Sequence, residues 1–400
     1  MNLDQERCVL CGRCVRFMRD IMHDEVLTMS QRGTFNAITV YPGRELDSNY
    51  SMNTVDLCPV GALTSKDFRF KMRVWFLKET KTIDVDCGTG TNITLWTRED
   101  KVYRITPRQN DAVNSCWMPD SHRLNYKYIN AETRIPQPVI RTDAEAPHRP
   151  STWEPALASA AEAVKRIAPN QLAIIASGRM TNEELYMVRH LAAQIGTDMV
   201  DIVLRMGESD GMLISADRNP NTNGARLVLD IEPGSKLDAI REGVRSGSIK
   251  GILSLGEDLI SPEAGFTAED LDKLDYLFMT AHSANETARH ADLVLPGVTY
   301  AEKFGTMINV TGRIQRLNRA IQPIGYARDD WQIFRDITLL LGGNPALKDF
   351  NSALDILTAM STEYGALNGV SWGSIGDGGQ PILETGVTIP VVEREKNQGR

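Results

Sequence analysis

QLAIIAS (171–177), TNEELYMVRHLAAQIG (181–196) and MVDIVL (199–204) read as strand, helix and strand. The outer two are short apolar runs, while the middle one carries its apolar residues at helical spacing, with Thr181 placed to cap it and Gly196 to close it. The alternation continues downstream. ARLVLDI (225–231), IKGILSLG (249–256) and YLFMTA (276–281) are expected as strands, with helices at SKLDAIREGVRSG (235–247) and AEDLDKL (268–274). Strand and helix in turn imply a mostly parallel sheet with helices on both faces, a doubly wound α/β domain. Upstream, WEPALASAAEAVKRIA (153–168) has helical spacing and follows a proline-containing surface connection, RTDAEAPHRPSTWEP (141–155). This main domain is expected over 131–345. Beyond it, the Gly-rich ALNGVSWGSIGDGGQP (366–381) and the charged EREKNQGR (393–400) predict a loose C-terminal tail over 346–400.

Toward the N-terminus the pattern turns to β. MRVWFLKETKTIDVD (72–86) is rich in β-branched and aromatic residues, and NITLWTREDKVYRITP (92–107) reads as a hairpin turning at Arg98 to Lys101. A β-rich module is expected over 72–130. Hydrophobic residues make up 42% of the 400 and charged ones 24%, the balance of a folded protein of two or three domains. A formal charge of -8 argues against a phosphate-neutralising surface, so nucleic acid is not an expected partner. No run reaches the ~18 apolar residues of a membrane helix, and the polar start MNLDQERC is unlike a secretory signal, so a cytoplasmic location is expected.

Residues 1–71 hold four of the six cysteines. CVLCGRC places thiols at Cys8, Cys11 and Cys14, close enough along the chain for one loop to turn all three toward a point. Cys58, followed by Pro59 in LCPVGAL (57–63), supplies a distant fourth. A CxxCxxC triplet with a remote Cys-Pro is a ferredoxin arrangement for one [4Fe-4S] cluster. A second cluster is not built there: Met18 stands where a further cysteine would fall, and counting back from Cys58 gives Thr54, Ser51 and Ser48. Zinc is the alternative for the same thiols. Arg7, Arg13, Arg16 and Arg19 surround the triplet, either raising the potential of an anionic cluster or forming a solvated basic face.

ERCVLCGRCVRF (6–17) followed by DLCPVGALTSKDFRFKMRVW (56–75) resembles a tetranuclear-cluster site of the large iron-sulfur subunit of NADH:quinone oxidoreductase, respiratory complex I. ADLVLPGVTYAEKFGTMINVTGRIQRL (291–317) is similar to a stretch of the molybdopterin oxidoreductase superfamily, to which the large domain of that subunit belongs. The resemblance covers roughly residues 1–345. It implies a small α+β ferredoxin-like unit over 1–71 and a molybdopterin-oxidoreductase-like main domain. It also implies a translocase subunit that relays electrons from NADH and flavin toward quinone and has no complete active site of its own. The partners implied are the NADH/FMN-binding and quinone-side iron-sulfur subunits. The subunit would be peripheral on the cytoplasmic side of the membrane, associated with it only through the complex. Cys8, Cys11, Cys14 and Cys58 fall on the family's ligands for its all-cysteine cluster. No molybdopterin or molybdenum is expected.

Departures from the family pattern are informative. Met1 stands seven residues before Cys8 and no HxxxCxxC occurs, so the family's upstream clusters are expected on a partner chain or lost by truncation. An extra cluster of some members would fall on Asp84, Cys87, Thr91 and Pro119, of which one is a thiol, and Cys116 lies three residues short. Cys87 and Cys116 are therefore expected as small, partly buried hydrophobes. In the main domain no cysteine follows Cys116 to ligate molybdenum, and neither GxGxxG nor P-loop spacing appears. His282, His290, Asp292 and Glu302 assemble no nucleophile, base and orienter, and His290 is expected to cap or pack. Gly297, Gly305 and Gly312 are expected as turns or close packing. The competing readings are a catalytic molybdenum or tungsten oxidoreductase of formate dehydrogenase type, a non-catalytic scaffold from a split or truncated gene, and the diaphorase part of a hydrogenase.

Overall fold

The computed structural model describes residues 1–31, 33, 35–141 and 147–398, so residues 142–146 of the expected connection 141–155 lie outside the described residues. The N-terminal unit is small and has little regular structure. Strand β1 (Asn2–Leu3) pairs antiparallel with a later strand, and β2 (Leu27–Ser30) forms a hairpin with β3 (Ala37–Val40). A short helix, Arg13–Arg16, widens into a π-type turn, Phe17–Ile21; a second helix, Asn53–Leu57, ends at Cys58, and β4 (Leu63–Thr64) returns to β1. A unit of this size is marginal by itself. Phe17, Met18, Val26 and Ile38 accordingly share a core with Val113 and Trp117 of the next module and with Leu213, Ile389 and Val391 from far along the chain.

The β-rich module is an antiparallel meander of β5 (Lys78–Ile83), β6 (Asn92–Arg98) and β7 (Lys101–Pro107). The hairpin turns where the sequence places it. Glu99 and Asp100 both take positive φ, 50° and 56°, the two-residue turn whose twist matches that of the strands.

The main domain is built on a seven-stranded sheet. In chain order its strands are β8 (Val139–Ile140), β9 (Arg149–Pro150), β10 (Leu172–Ala176), β11 (Val200–Ile202), β12 (Gly251–Leu255), β13 (Tyr276–Ala281) and β14 (Leu293–Pro296). Their spatial order is β11-β10-β12-β13-β14-β8-β9, with β10 to β14 parallel and β8 and β9 antiparallel at one edge. Strand β10 shows why both faces are covered. Leu172, Ile174 and Ala176 pack with the helices Trp153–Arg166, Asn182–Ile195 and Asp330–Leu340, while Ala173 and Ile175 pack with the helix Leu237–Ser246. Thr181 caps the helix Asn182–Ile195 as expected, in a capping box completed by Glu184, and Gly196 closes it with φ of 79°. A second sheet of β15 (Gly305–Ile308), β16 (Arg313–Leu317) and β17 (Gln380–Pro381) lies beyond. Among the described residues no helix is long and apolar enough to cross a membrane.

Two expectations are corrected. ARLVLDI lies mostly in a helix, Thr222–Leu229, and not a strand. Ala225 and Val228 face the core three residues apart, and the short apolar run hid that period. Strand β12 pairs directly with β10. Nor is the segment after 345 loose. Ser352 and Asp355 box the start of a helix, Ala353–Glu363, which buries Ile356, Leu357 and Met360 in the main core. Strand β17 joins the second sheet, and a last helix, Pro390–Gln398, brings Val391 and Val392 against the N-terminal unit. The glycines between these elements serve turns, and glycine content alone gave the wrong impression of disorder.

Candidate metal centres

The triplet loop is shaped by left-handed backbone. Leu10 and Gly12 have φ of 53° and 71°, which turns successive side chains of CVLCGRC to the same side. The left-handed φ at Gly12 favours glycine there, and a Cβ would also meet the end of the exposed Met29 side chain at 3.0 Å. Cys8 follows the short helical turn Gln5–Arg7, Cys14 lies in the helix Arg13–Arg16, and Cys58 terminates Asn53–Leu57. All four thiols open into one cavity walled by Leu3, Ile38, Val60, Ala62 and Leu63. Cys11 is exposed and the other three are half-buried, so the group sits at the protein surface.

The electrostatics of the cavity are set by burial, by mutual repulsion and by main-chain donors. Burial pushes the Cys58 thiol up, but amide donors at Leu63, Val60, Ala62 and Gly61 outweigh it and leave the pKa lowered. The Leu63 amide donates to Sγ at 3.4 Å. Cys14 is raised, chiefly by burial, with Cys8 and Cys11 adding like-charge repulsion, as sulfurs facing one point must. Of the four arginines, Arg13 lines the cavity, whereas Arg7 and Arg19 are held in exposed ion pairs with Asp4 and Asp20.

These thiols fit an iron-sulfur cube better than a single ion. Tetrahedral zinc with bonds of about 2.3 Å requires sulfurs about 3.8 Å apart. No three of the four sulfurs lie within 4.8 Å of one another; among the described residues that spacing is met by Asp84, Cys87 and His122 alone.

That second group lies in the β-rich module. Asp84 follows β5, Cys87 sits in the turn before β6, and His122 comes from a short helix, Asp120–Leu124. His122 Nδ1 is 2.6 Å from Asp84 Oδ2, and all three residues are buried. Burial lowers the His122 pKa, but Asp84 and Asp86 outweigh it and the net shift is upward. Cys87 is wholly buried, and burial pushes its thiol up to about 11. Cys116 departs from expectation and is exposed; the neighbouring Trp117 takes the buried place, stacked on Phe17 at 4.7 Å. Sequence reading singled out Asp84 and Cys87 but missed His122, which lies 35 positions beyond Cys87 and carries no ligand spacing of its own.

The main-domain candidates are not brought together as a site. His282 stacks on Tyr128, His290 pairs with Asp272 at 2.7 Å, and Asp292 accepts from the Leu277 amide. Glu302 is buried against Arg134 at 2.6 Å. Gly297 and Gly305 are closely packed, and Gly312 lies in the turn between β15 and β16.

Three family models match the chain. Residues 1–64 match the ferredoxin-like domain of NADH-quinone oxidoreductase subunit 3, residues 77–127 the NDSU1/NuoG-like 4Fe-4S domain of NADH-ubiquinone oxidoreductase, and residues 218–338 molybdopterin oxidoreductase. The mitochondrial 78 kDa subunit of NADH-ubiquinone oxidoreductase from Neurospora crassa is 28% identical over 86% of this chain and 62% of its own length. The NuoG-type subunit of NADH-quinone oxidoreductase from Rickettsia conorii is 26% identical over 83% of this chain and 66% of its own. The chain thus spans a little under two thirds of these relatives. Acetylene hydratase from Pelobacter acetylenicus shares the fold with a TM-score of 0.55, at 9% identity, over 74% of this chain and 73% of that one. By sequence and fold, the chain is a homologue of the NuoG-type iron-sulfur subunit of NADH-quinone oxidoreductase, combining a ferredoxin-like unit with a molybdopterin-oxidoreductase-type domain.

Proposed function

We propose that this chain is an electron-relay subunit of an NADH:quinone oxidoreductase, with one [4Fe-4S] cluster held by Cys8, Cys11, Cys14 and Cys58. The observation that carries the reading is the convergence of four thiols, wider apart than a single ion needs, on one apolar-walled cavity at the surface. Such a cluster supplies a one-electron couple. The thiolates anchor it, the amides at 61–63 stabilise the anionic sulfur of Cys58, and Leu3, Ile38 and Leu63 keep water from one side. Exposed Val9 and Val60 flank the open side, where the neighbouring carriers of partner subunits would dock. Those partners are the NADH/FMN-side and quinone-side iron-sulfur subunits, since one cluster can hold an electron but cannot complete a path.

In this reading residues 1–71 form the cluster unit, 72–130 the β-rich module, 131–345 a scaffold domain without molybdopterin, and 346–400 the C-terminal extension that fastens it. The chain contributes to a translocase reaction without an active site of its own and sits peripherally, on the cytoplasmic side of the membrane. Low-temperature EPR with iron and sulfide counting on the anaerobically purified chain tests this. One reduced tetranuclear signal and about four irons are expected. A binuclear signal, or molybdenum or tungsten in stoichiometric amount, would refute it.

A further inference from the structure

We infer that the β-rich module holds a single divalent metal ion of the zinc type, ligated by Asp84, Cys87 and His122. Their ligand atoms lie within 4.8 Å of one another, and each side chain is more than nine-tenths buried. A carboxylate, a thiol and an imidazole are the donor types that zinc accepts, and three protein ligands leave one coordination position. Asp86, two residues on from Asp84, adds a further negative charge that both Asp84 and His122 feel.

The group is held in place before any ion arrives. The turn carrying Asp84 and Cys87 is fastened on both sides by main-chain bonds: Gly88 N donates to Asp217 O at 2.9 Å, and Gly88 O accepts from Val310 N at 2.8 Å. A Cβ at Gly88 would stand 2.4 Å from the Val310 side chain, so nothing larger lets the turn approach this closely. Thr89 Oγ1 donates to Leu213 O at 2.5 Å, and Asn309 Nδ2 donates to Thr89 O at 3.0 Å. Opposite, the helix bearing His122 is fixed by Asp120, which accepts from Ser51 Oγ and from the Met52 amide. Such preorganisation is what a specific metal site needs.

Within the group the strong bond is that of Asp84 to His122, and one neighbouring polar atom is left over. Cys87 Sγ donates over a long 3.7 Å contact to Leu213 O and is approached by donors at Ser215 and Thr89, while the buried hydroxyl of Thr91, in the same turn, has no partner. On binding, the ion replaces the Cys87 thiol proton and the proton shared by Asp84 and His122, which pass to solvent. The ion would staple the end of β5 to the helix Asp120–Leu124. That helix also grips the cluster unit, through Arg123 to Asp56 at 2.6 Å, so the staple would steady the platform beneath Cys58.

The test uses the full chain with its iron-sulfur cluster loaded anaerobically, incubated with Zn²⁺ and desalted. About one zinc per chain is expected beyond the cluster iron. X-ray absorption at the zinc edge should show one sulfur with nitrogen and oxygen neighbours. Cys87→Ser and Asp84→Asn should each lower zinc retention at least tenfold while leaving iron and sulfide unchanged. Failure of the unaltered chain to retain zinc would overturn the inference, as would a four-sulfur shell, which would place zinc at the cluster cysteines. Either result is read without any variant that might misfold.

Discussion

The two groups of candidate ligands in this chain are built on opposite plans. Around Cys8, Cys11, Cys14 and Cys58 the sulfurs stand apart, half-exposed, about a cavity lined by apolar side chains, and the local core is borrowed from other segments. Around Asp84, Cys87 and His122 the ligand atoms are close together, buried, and pinned by hydrogen bonds from three directions. An open, wide arrangement suits a bulky cofactor that must exchange electrons with a neighbour. A closed, narrow one suits structure. Cysteine content alone does not distinguish the two; spacing and burial do.

The largest expected effect breaks the first region alone. Cys11→Ala removes one of four anchors, so iron and sulfide should fall toward zero and the reduced EPR signal should vanish, together with electron transfer to quinone in the assembled complex. The fold of the main domain should be unchanged by circular dichroism. Normal quinone reduction with the cluster missing would make the site structural and return the scaffold reading.

Next in size is a break in the second region. Asp84→Ala leaves His122 buried without its partner at 2.6 Å, and removing one member of such a pair costs about 3 kcal/mol. Denaturant unfolding should show that loss while the cluster's iron content holds. A change below about 0.5 kcal/mol, the size of a surface substitution, would show the pair to be energetically idle.

How much of this could be read in advance follows the range of the interactions. The triplet and the Cys-Pro are local signals, as are the Thr181 cap, the Gly196 stop and the Glu99-Asp100 turn. The parallel strands emerged from alternation because each has a face for each helical layer. What stayed hidden depended on distant partners. ARLVLDI became a helix because Ala225 and Val228 found a core face beside the helix Asn182–Ile195. The glycine-rich tail is ordered by Leu367, Val370 and Ile375 entering the main core. His122 gained meaning only when folding carried it to Asp84 and Cys87.

The smallest effect is a difference in thiol chemistry that sharpens the comparison without breaking either region. In the cluster-free chain, Cys58 has a lowered pKa because amide donors outweigh its burial, whereas burial pushes Cys87 up to about 11. Thiolate is the reacting species, so Cys58 should alkylate at a lower pH than an ordinary cysteine and Cys87 should stay unmodified through pH 9 until the chain unfolds. Linkage gives the same signs. The lowered group adds stability above its unfolded pKa and loses it as pH falls through the folded value. The raised one keeps its neutral form favourable at low pH and subtracts stability as pH climbs past the ordinary thiol range. Cys116, exposed but with its thiol raised by partial burial, serves as the intermediate case. Mass spectrometry of peptides after timed alkylation between pH 6 and pH 9 should rank Cys58 ahead of Cys116 and Cys116 ahead of Cys87. If Cys87 reacted as fast as Cys116, the turn at 87–91 would be opening on the timescale of labelling, and the closed plan of the second region would fail.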